Sequence, residues 1–233
     1  MYRRFQIIKY ALIALIFISL FGGCAVYDKY FGESDEEKRP DELMEQGLQR
    51  MDRGDYQAAT ESFQAIKDRY PYSKYAVTAD LKIADSLYYS YEYVAAAGAY
   101  DEFEKLHPKD NNIPYVIYQK GMCHFQQVKS IDRDQSETLK AKEEFERVIK
   151  RFPRSDYANN ARKNLRQCLI YLAEYELYVG HFYFKMGKYQ AALDRYTYLI
   201  ENYPDMGQYH EALEYISLCK AKLAEAEAEK KQD

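Results

Sequence analysis

Residues 53–71 of the chain are RGDYQAATESFQAIKDRYP, and related stretches are SYEYVAAAGAYDEFEKLHP at 90–108 and MGKYQAALDRYTYLIENYP at 186–204. In each stretch an aromatic residue stands 15 positions before the proline, a small residue 12 before it and a second aromatic eight before it. Small residues let two helices approach closely, aromatic residues fill the space between them, and a proline ends the helix that precedes it. The pattern therefore predicts an array of antiparallel helix pairs.

A further copy of the ending, KRFP, closes at Pro153, and its second helix keeps the spacing through Ala141 and Phe145. Its first helix is predicted at about Tyr115–Lys129 and is followed by a polar loop, SIDRDQSET. Residues 156–186 contain no proline, so they predict either one long helix or two helices with a soft joint. We expect repeats near 40–73, 77–110, 114–155 and 156–206, a last helix over 209–228 and a frayed tail over 229–233.

The composition fits solvated helices with an aromatic interior. The chain has 233 residues with 26 Tyr, 11 Phe, no Trp, only 10 Gly and 6 Pro, and a net charge of −4. Few Gly and Pro residues argue against many short strands joined by tight turns. An acidic chain does not attract nucleic acid through its overall field.

The first 24 residues have the layout of an export signal. Arg3, Arg4 and Lys9 precede an apolar run of 12 residues, which is shorter than the ~20 that a spanning helix needs. Gly22, Gly23 and Cys24 follow, which resembles the bacterial lipobox, although Phe21 stands where leucine is usual. The resemblance implies a signal peptide over 1–23, cleavage between Gly23 and Cys24, a lipid on Cys24 and a flexible tether over 24–39. An uncleaved signal anchor is the alternative.

The repeats resemble the tetratricopeptide repeat, which implies an all-α superhelix of about five antiparallel helix pairs. Longer phrases resemble one family, BamD, the lipoproteins of the outer-membrane β-barrel assembly machine: IPYVIYQKGMCHFQQ, DRDQ, RFPRSDYANNAR and LAEYELYVGHFYFKMGKYQAALDRY. This resemblance implies a scaffold on the periplasmic face of the outer membrane. Its implied partners are the periplasmic domains of the barrel-forming assembly protein, unfolded barrel precursors and other assembly lipoproteins.

The first helix of each pair lines the concave side of such a stack, so its inward positions predict a peptide-binding groove. Tyrosine combines an apolar face with one hydroxyl, and methionine adapts to varied shapes, which suits the binding of many unfolded sequences. Packing against the neighbouring repeat is the alternative for each side chain. The predicted groove residues are Met44, Leu48, Met51, Leu81, Asp85, Tyr88, Tyr89, Tyr115, Tyr118, Met122 and Phe125.

Catalytic and metal-binding patterns are missing from the sequence. Cys123, Cys168 and Cys219 form no CxxC pair and predict buried free thiols, with a Cys123–Cys168 bridge left open. No two histidines stand three or four residues apart, and no nucleophile or phosphate-loop motif occurs. We therefore expect no enzyme, no metal and no cofactor. An adaptor for cell division or envelope integrity is the second functional hypothesis, and a ligand-binding lipoprotein or enzyme is the third.

Overall fold

The computed structural model of the protein describes residues 38–204 and 206–230, so Cys24 and the predicted signal peptide lie outside the described residues. Nine helices and no strand occur in this part of the chain. They are α1 Pro40–Asp52, α2 Tyr56–Arg69, α3 Ala76–Tyr89, α4 Tyr93–Leu106, α5 Ile113–Phe125, α6 Ser136–Arg151, α7 Asp156–Lys185, α8 Tyr189–Asn202 and α9 Tyr209–Lys230.

Each helix packs on the helix before it and the helix after it, and α7 also contacts α5. Short connections between packed helices make neighbours antiparallel. The described chain is therefore four helix pairs followed by α9, which packs on α8. The predicted all-α array of helix pairs is confirmed.

Prolines end four helices, as the sequence predicts. The residue before each proline leaves the helical conformation, with φ between −125° and −133° and ψ between 51° and 57°. Steric clash with the proline ring forces this extended geometry. These residues are Tyr70, His107, Phe152 and Tyr203.

Three helical glycines mark the closest approaches between paired helices. A Cβ added at Gly47, Gly121 or Gly180 would collide with the aromatic ring of Phe63, Phe145 or Tyr196, respectively. Each ring is fully buried and is the second aromatic of its repeat. Gly180 is thus a packing position inside one helix of 30 residues, so residues 156–185 form the long helix and not two helices with a soft joint.

Helix boundaries differ from the prediction by a few residues. Helix α5 ends at Phe125, before the predicted Lys129. Helix α6 begins at Ser136, inside the stretch predicted as a loop. Helix α9 continues to Lys230, two residues into the predicted tail.

Candidate functional site

A band of aromatic side chains crosses α3, α5 and α7. The ring of Tyr157 on α7 lies 5.3 Å from that of Tyr115 and 5.9 Å from that of Tyr118, both on α5. Fourteen residues after Tyr157, which is about four turns along α7, Tyr171 stacks on Phe125 at 6.3 Å. We call the following set the aromatic band: Tyr88, Tyr89, Tyr115, Tyr118, Phe125, Tyr157 and Tyr171.

The α3 end of the band is held by rings from neighbouring helices. Tyr89 stacks on Tyr56 of α2 at 5.6 Å, and Tyr88 meets Tyr93 of α4 edge-on at 5.4 Å. Burial raises the pKa of the Tyr88 hydroxyl. Tyr88 of α3 and Tyr118 of α5 both pack against the same buried core cluster.

The buried carboxylate of Asp85 holds Tyr115 of the aromatic band in place from below. Asp85 is 2% exposed, and its Oδ1 accepts hydrogen bonds from the hydroxyls of Tyr100 (2.8 Å) and Tyr115 (2.7 Å). Lys82 Nζ lies 2.8 Å from the other oxygen. Burial, followed by the charge of Asp85, raises the pKa of both tyrosines far above the usual range, so both hydroxyls remain donors. The Tyr115 ring is thereby held in one orientation.

A polar contact from α7 fixes the middle of the band. Asn164 Nδ2 donates to the Tyr118 hydroxyl at 3.2 Å and lies 3.0 Å from the sulfur of Met122. Tyr157, Asn164 and Tyr171 are spaced seven residues apart and so share one face of α7. The sequence prediction missed this row, although the seven-residue spacing is the signal that would have found it.

The structure divides the predicted groove residues into surface and core. Tyr89 and Leu48 are 46% and 40% exposed, whereas Met44 and Leu81 are only 6% and 7% exposed and belong to core clusters. Met44, Leu81 and Asp85, which is 2% exposed, are therefore corrected to buried positions, because their helices turn those positions toward the neighbouring helices. Met51 is partly buried against the core cluster that contains Met44 and Phe63. The others keep an accessible edge while packing on the central core: Tyr88, Tyr115, Tyr118, Met122 and Phe125.

A separate surface feature lies at the other end of the described chain. An open depression of about 540 Å³ between α7 and α8 is lined by Tyr183, Lys188, Ala191, Asp194, Arg195 and Tyr198. Arg195 donates to Glu176 Oε2 at 3.1 Å, and Glu176 is largely buried. This ion pair fixes the guanidinium at the edge of the depression.

Chemistry at the three described cysteines is disfavoured. Cys123, Cys168 and Cys219 are free and buried, as predicted. Burial raises the pKa of Cys123 and Cys168 to about 12, so their reactive thiolates are scarce.

Within residues 38–204 and 206–230, no His, Cys, Asp and Glu side chains gather as a metal site. No helix within these residues combines the length and the apolar character that crossing a membrane requires.

A family model described as YfiO, outer membrane lipoprotein, matches residues 36–233 of this acidic array of helix pairs. The chain belongs to the YfiO family. The match includes every described helix and begins 13 residues after the predicted signal peptide of residues 1–23. Membership of the YfiO family associates the protein with the outer membrane.

Several YfiO-family relatives carry the name outer membrane protein assembly factor BamD. The Caulobacter vibrioides protein is 32% identical over 178 residues, covering 76% of this chain and 58% of its own length. The Rickettsia prowazekii protein is 31% identical over 161 residues, with 69% and 64% covered. The Pasteurella multocida protein is 29% identical over 193 residues, with 78% and 74% covered. The chain thus spans about six-tenths of the first two relatives.

Solved structures that are similar to this YfiO-family chain include tetratricopeptide-repeat proteins. The TPR2AB domain of yeast Sti1 matches with a TM-score of 0.45 and 16% identity, covering 79% of this chain and 70% of that one. A tetratricopeptide-repeat protein from Thermus thermophilus matches with a TM-score of 0.42 and 15% identity, covering 80% and 100%.

Proposed function

We propose that the protein is a non-enzymatic scaffold and receptor in outer-membrane β-barrel assembly, as its relatives' name, outer membrane protein assembly factor, indicates for them. The aromatic band is the observation that supports the receptor role. It binds extended segments of unfolded barrel precursors, while the C-terminal helices bind the periplasmic domains of the barrel-forming assembly protein.

The band has the properties that an extended, variable peptide requires. Its rings present apolar faces with separate hydroxyls, and tyrosine loses little side-chain entropy on binding. Asp85 and Asn164 hold Tyr115 and Tyr118 from behind, so two of its central rings are oriented before a peptide arrives. Preorganised groups lower the entropic cost of association. Apolar side chains of a precursor pack between the rings, and sequence-independent contacts allow many precursors to bind.

The depression between α7 and α8 supports the scaffold role. Arg195 is fixed by Glu176, and Tyr198 beside it is 46% exposed. Arginine and tyrosine are the residue types that most often dominate protein interfaces. A partner domain that offers an acidic or aromatic side chain fits this depression.

The anchor is the lipid on Cys24, and the array faces the periplasm. A single acyl chain holds a protein only marginally, whereas two or three hold it stably. Mass spectrometry of the mature N-terminus tests this part of the proposal. We expect an acylated Cys24 as the first residue, and an unmodified Cys24 would remove the anchor.

The receptor role is tested with two exposed members of the band. Tyr89→Ala combined with Tyr157→Ala should weaken binding of a fluorescein-labelled peptide of alternating aromatic and polar residues, the pattern of a membrane β-strand, by roughly tenfold. Fluorescence anisotropy of the purified chain measures the affinity. Tyr72→Ala with Tyr178→Ala is the matched control, because both side chains are exposed and lie outside the band.

Equal binding by the two double variants would contradict a receptor site on the band. The scaffold role has a separate test, which is pull-down of the mature chain from an envelope extract. Recovery of a large barrel protein with periplasmic domains supports the assembly role. Recovery of cell-division proteins alone would favour the adaptor hypothesis instead.

A further inference from the structure

A strongly basic surface lies around the turn from α6 to α7 of this otherwise acidic chain. Residues 147–166 contain seven Lys and Arg side chains and a single acid, Asp156, whereas the whole chain carries a net charge of −4. Arg147 and Arg151 are used internally, since both contact Glu104 at 2.7 and 2.8 Å. The remaining cations are not needed for these internal ion pairs.

Four of these cations are exposed and have no ion-pair or hydrogen-bond partner among the described residues. They are Lys150 on α6, Arg154 in the turn, and Lys163 and Arg166 on α7. We call these four the basic strip.

Helix electrostatics explains only part of the basic strip. Lys150 lies in the last turn of α6, where a cation interacts favourably with the helix dipole. Lys163 and Arg166 lie in the N-terminal half of α7, where the dipole offers them no such stabilisation. They are spaced i,i+3, and Arg162 and Arg166 are spaced i,i+4, so like charges stand next to each other and destabilise the helix.

The strip extends from the α6–α7 turn along the first three turns of α7. Arg162 Nη2 donates to the Pro153 carbonyl at 3.1 Å and Nη1 to Asn159 Oδ1 at 2.7 Å, which places the second turn of α7 beside the α6–α7 turn. From Asp156 to Arg166 the helix rises about 15 Å at 1.5 Å per residue. An extended segment of roughly five residues covers that length at about 3.3 Å per residue.

We propose that the basic strip binds an extended acidic segment of a partner protein. Charge complementarity identifies the occupant, and two of the four cations are arginines, whose planar guanidinium donates two parallel hydrogen bonds to a carboxylate. Cations that extend up the side of α7, rather than gathering at one tip of the array, fit a peptide better than a flat lipid surface. This surface is separate from the aromatic band and from the depression between α7 and α8.

The chain's own acidic stretch does not reach the strip. The residues ESDEE, 33–37, immediately precede the first described residue next to α1. Five residues span at most about 18 Å. Helices α3 and α5 separate α1 from α7 in the array, a distance on the order of 25 Å at 8–10 Å per packed helix. The occupant is therefore not this acidic stretch of the same molecule.

The test compares two variants that lose the same charge. In the first, Lys150, Arg154, Lys163 and Arg166 are all changed to Gln. In the control, four exposed lysines elsewhere are changed to Gln: Lys109, Lys129, Lys185 and Lys220. The probe is a fluorescein-labelled peptide of alternating Glu and Ala, about 12 residues long, so that its acids lie on one side of an extended chain. Anisotropy is measured on the full chain at about 0.02 and about 0.2 M salt.

We expect the strip variant to bind the peptide about tenfold more weakly than the unchanged chain, and the control variant to bind it within about threefold of the unchanged chain. Salt should weaken peptide binding most for the unchanged chain. Melting temperatures of both variants, followed by circular dichroism, should stay near that of the unchanged chain because all eight side chains are exposed. Equal loss in both variants would show that only net charge matters and would overturn the proposal. Undetectable peptide binding would also overturn it, as would strip-dependent binding to vesicles containing phosphatidylglycerol but not to the peptide.

Discussion

Replacing Gly121 with alanine tests the close helix contact that supports the aromatic band. Gly121 lies on α5, and a Cβ there would be 2.7 Å from Phe145 Cε1 and 2.8 Å from its Cδ1. Phe145 is fully buried and is flanked by the rings of Tyr118 (5.9 Å) and Phe125 (6.1 Å), so it has no free space to enter. Helices α5 and α6 must separate to accept the methyl group.

The expected magnitude follows from two opposing effects. Overpacking a well-filled core costs about 1–3 kcal/mol. Alanine is preferred over glycine inside a helix by about 1 kcal/mol. We therefore expect Gly121→Ala to lower the free energy of unfolding by about 1 kcal/mol, which corresponds to a melting temperature roughly 2–4 °C lower for a chain of this size.

Gly98→Ala is the matched control. Gly98 also lies inside a helix, α4, but it is exposed and a Cβ there would meet no atom within 4 Å. This variant should be more stable than the unchanged chain by about 0.5–1 kcal/mol. Thermal unfolding by circular dichroism measures both variants. If Gly121→Ala proves as stable as Gly98→Ala, the close contact is not a constraint on the fold, and the reasoning is wrong.

Three further predictions concern the buried Asp85 beneath the aromatic band, the turn at Tyr91 and the ion pairs of Asp101. Asp85→Ala should lower the free energy of unfolding, measured by denaturant titration, by about 2–6 kcal/mol. The variant leaves the Tyr100 and Tyr115 hydroxyls without their acceptor, which costs about 1–3 kcal/mol for each. Asp85→Asn keeps an acceptor oxygen and should lower the free energy of unfolding clearly less. Tyr91→Gly should raise the free energy of unfolding by about 0.5–1 kcal/mol, because Tyr91 has φ +64°. Relief of the left-handed conformation, about 1–2 kcal/mol, exceeds the cost of the extra chain entropy of glycine, about 0.4–1 kcal/mol. No gain in stability would show that the turn is unstrained. Hydrogen bonds from Lys105 and Lys120 lower the pKa of Asp101 to about 2 in the folded chain, whereas the unfolded value is ~3.9. The ionised carboxylate therefore stabilises the fold fully above about pH 4, and this stabilisation is lost as the pH falls toward about 2. Asp101→Asn should therefore reduce the drop in melting temperature between about pH 6 and about pH 3, and an unchanged drop would assign the acid sensitivity to other groups.

Prolines in the sequence predicted the ends of four helices well. The prolines at 71, 108, 153 and 204 each follow a residue that leaves the helical conformation, since the clash that ends the helix involves adjacent residues only. The repeated aromatic positions were equally informative. Phe63, Tyr100 and Tyr196 are fully buried because the repeat places the same face of each second helix against its partner.

It was harder to predict which positions of the first helix in each pair are buried and which are exposed. Met44 and Leu81 fit the same spacing as Tyr89, yet they are core residues while Tyr89 is exposed. The rotation of a helix about its axis depends on the side chains of both neighbours. A pattern within one helix does not contain that information.

The sequence by itself therefore determined the helix pairs, their order and their aromatic interior, because each depends on spacing within one repeat. It also placed Cys24 in a lipobox-like context, a prediction that concerns residues outside the described structure. Only the tertiary structure decided that α7 adds Tyr157 and Tyr171 to the aromatic band, that Asp85 orients Tyr115, and that Gly121 and Gly180 mark close contacts. These features join residues from different helices, up to 46 positions apart in the bond between Asn164 and Tyr118, and packing geometry alone brings such residues together.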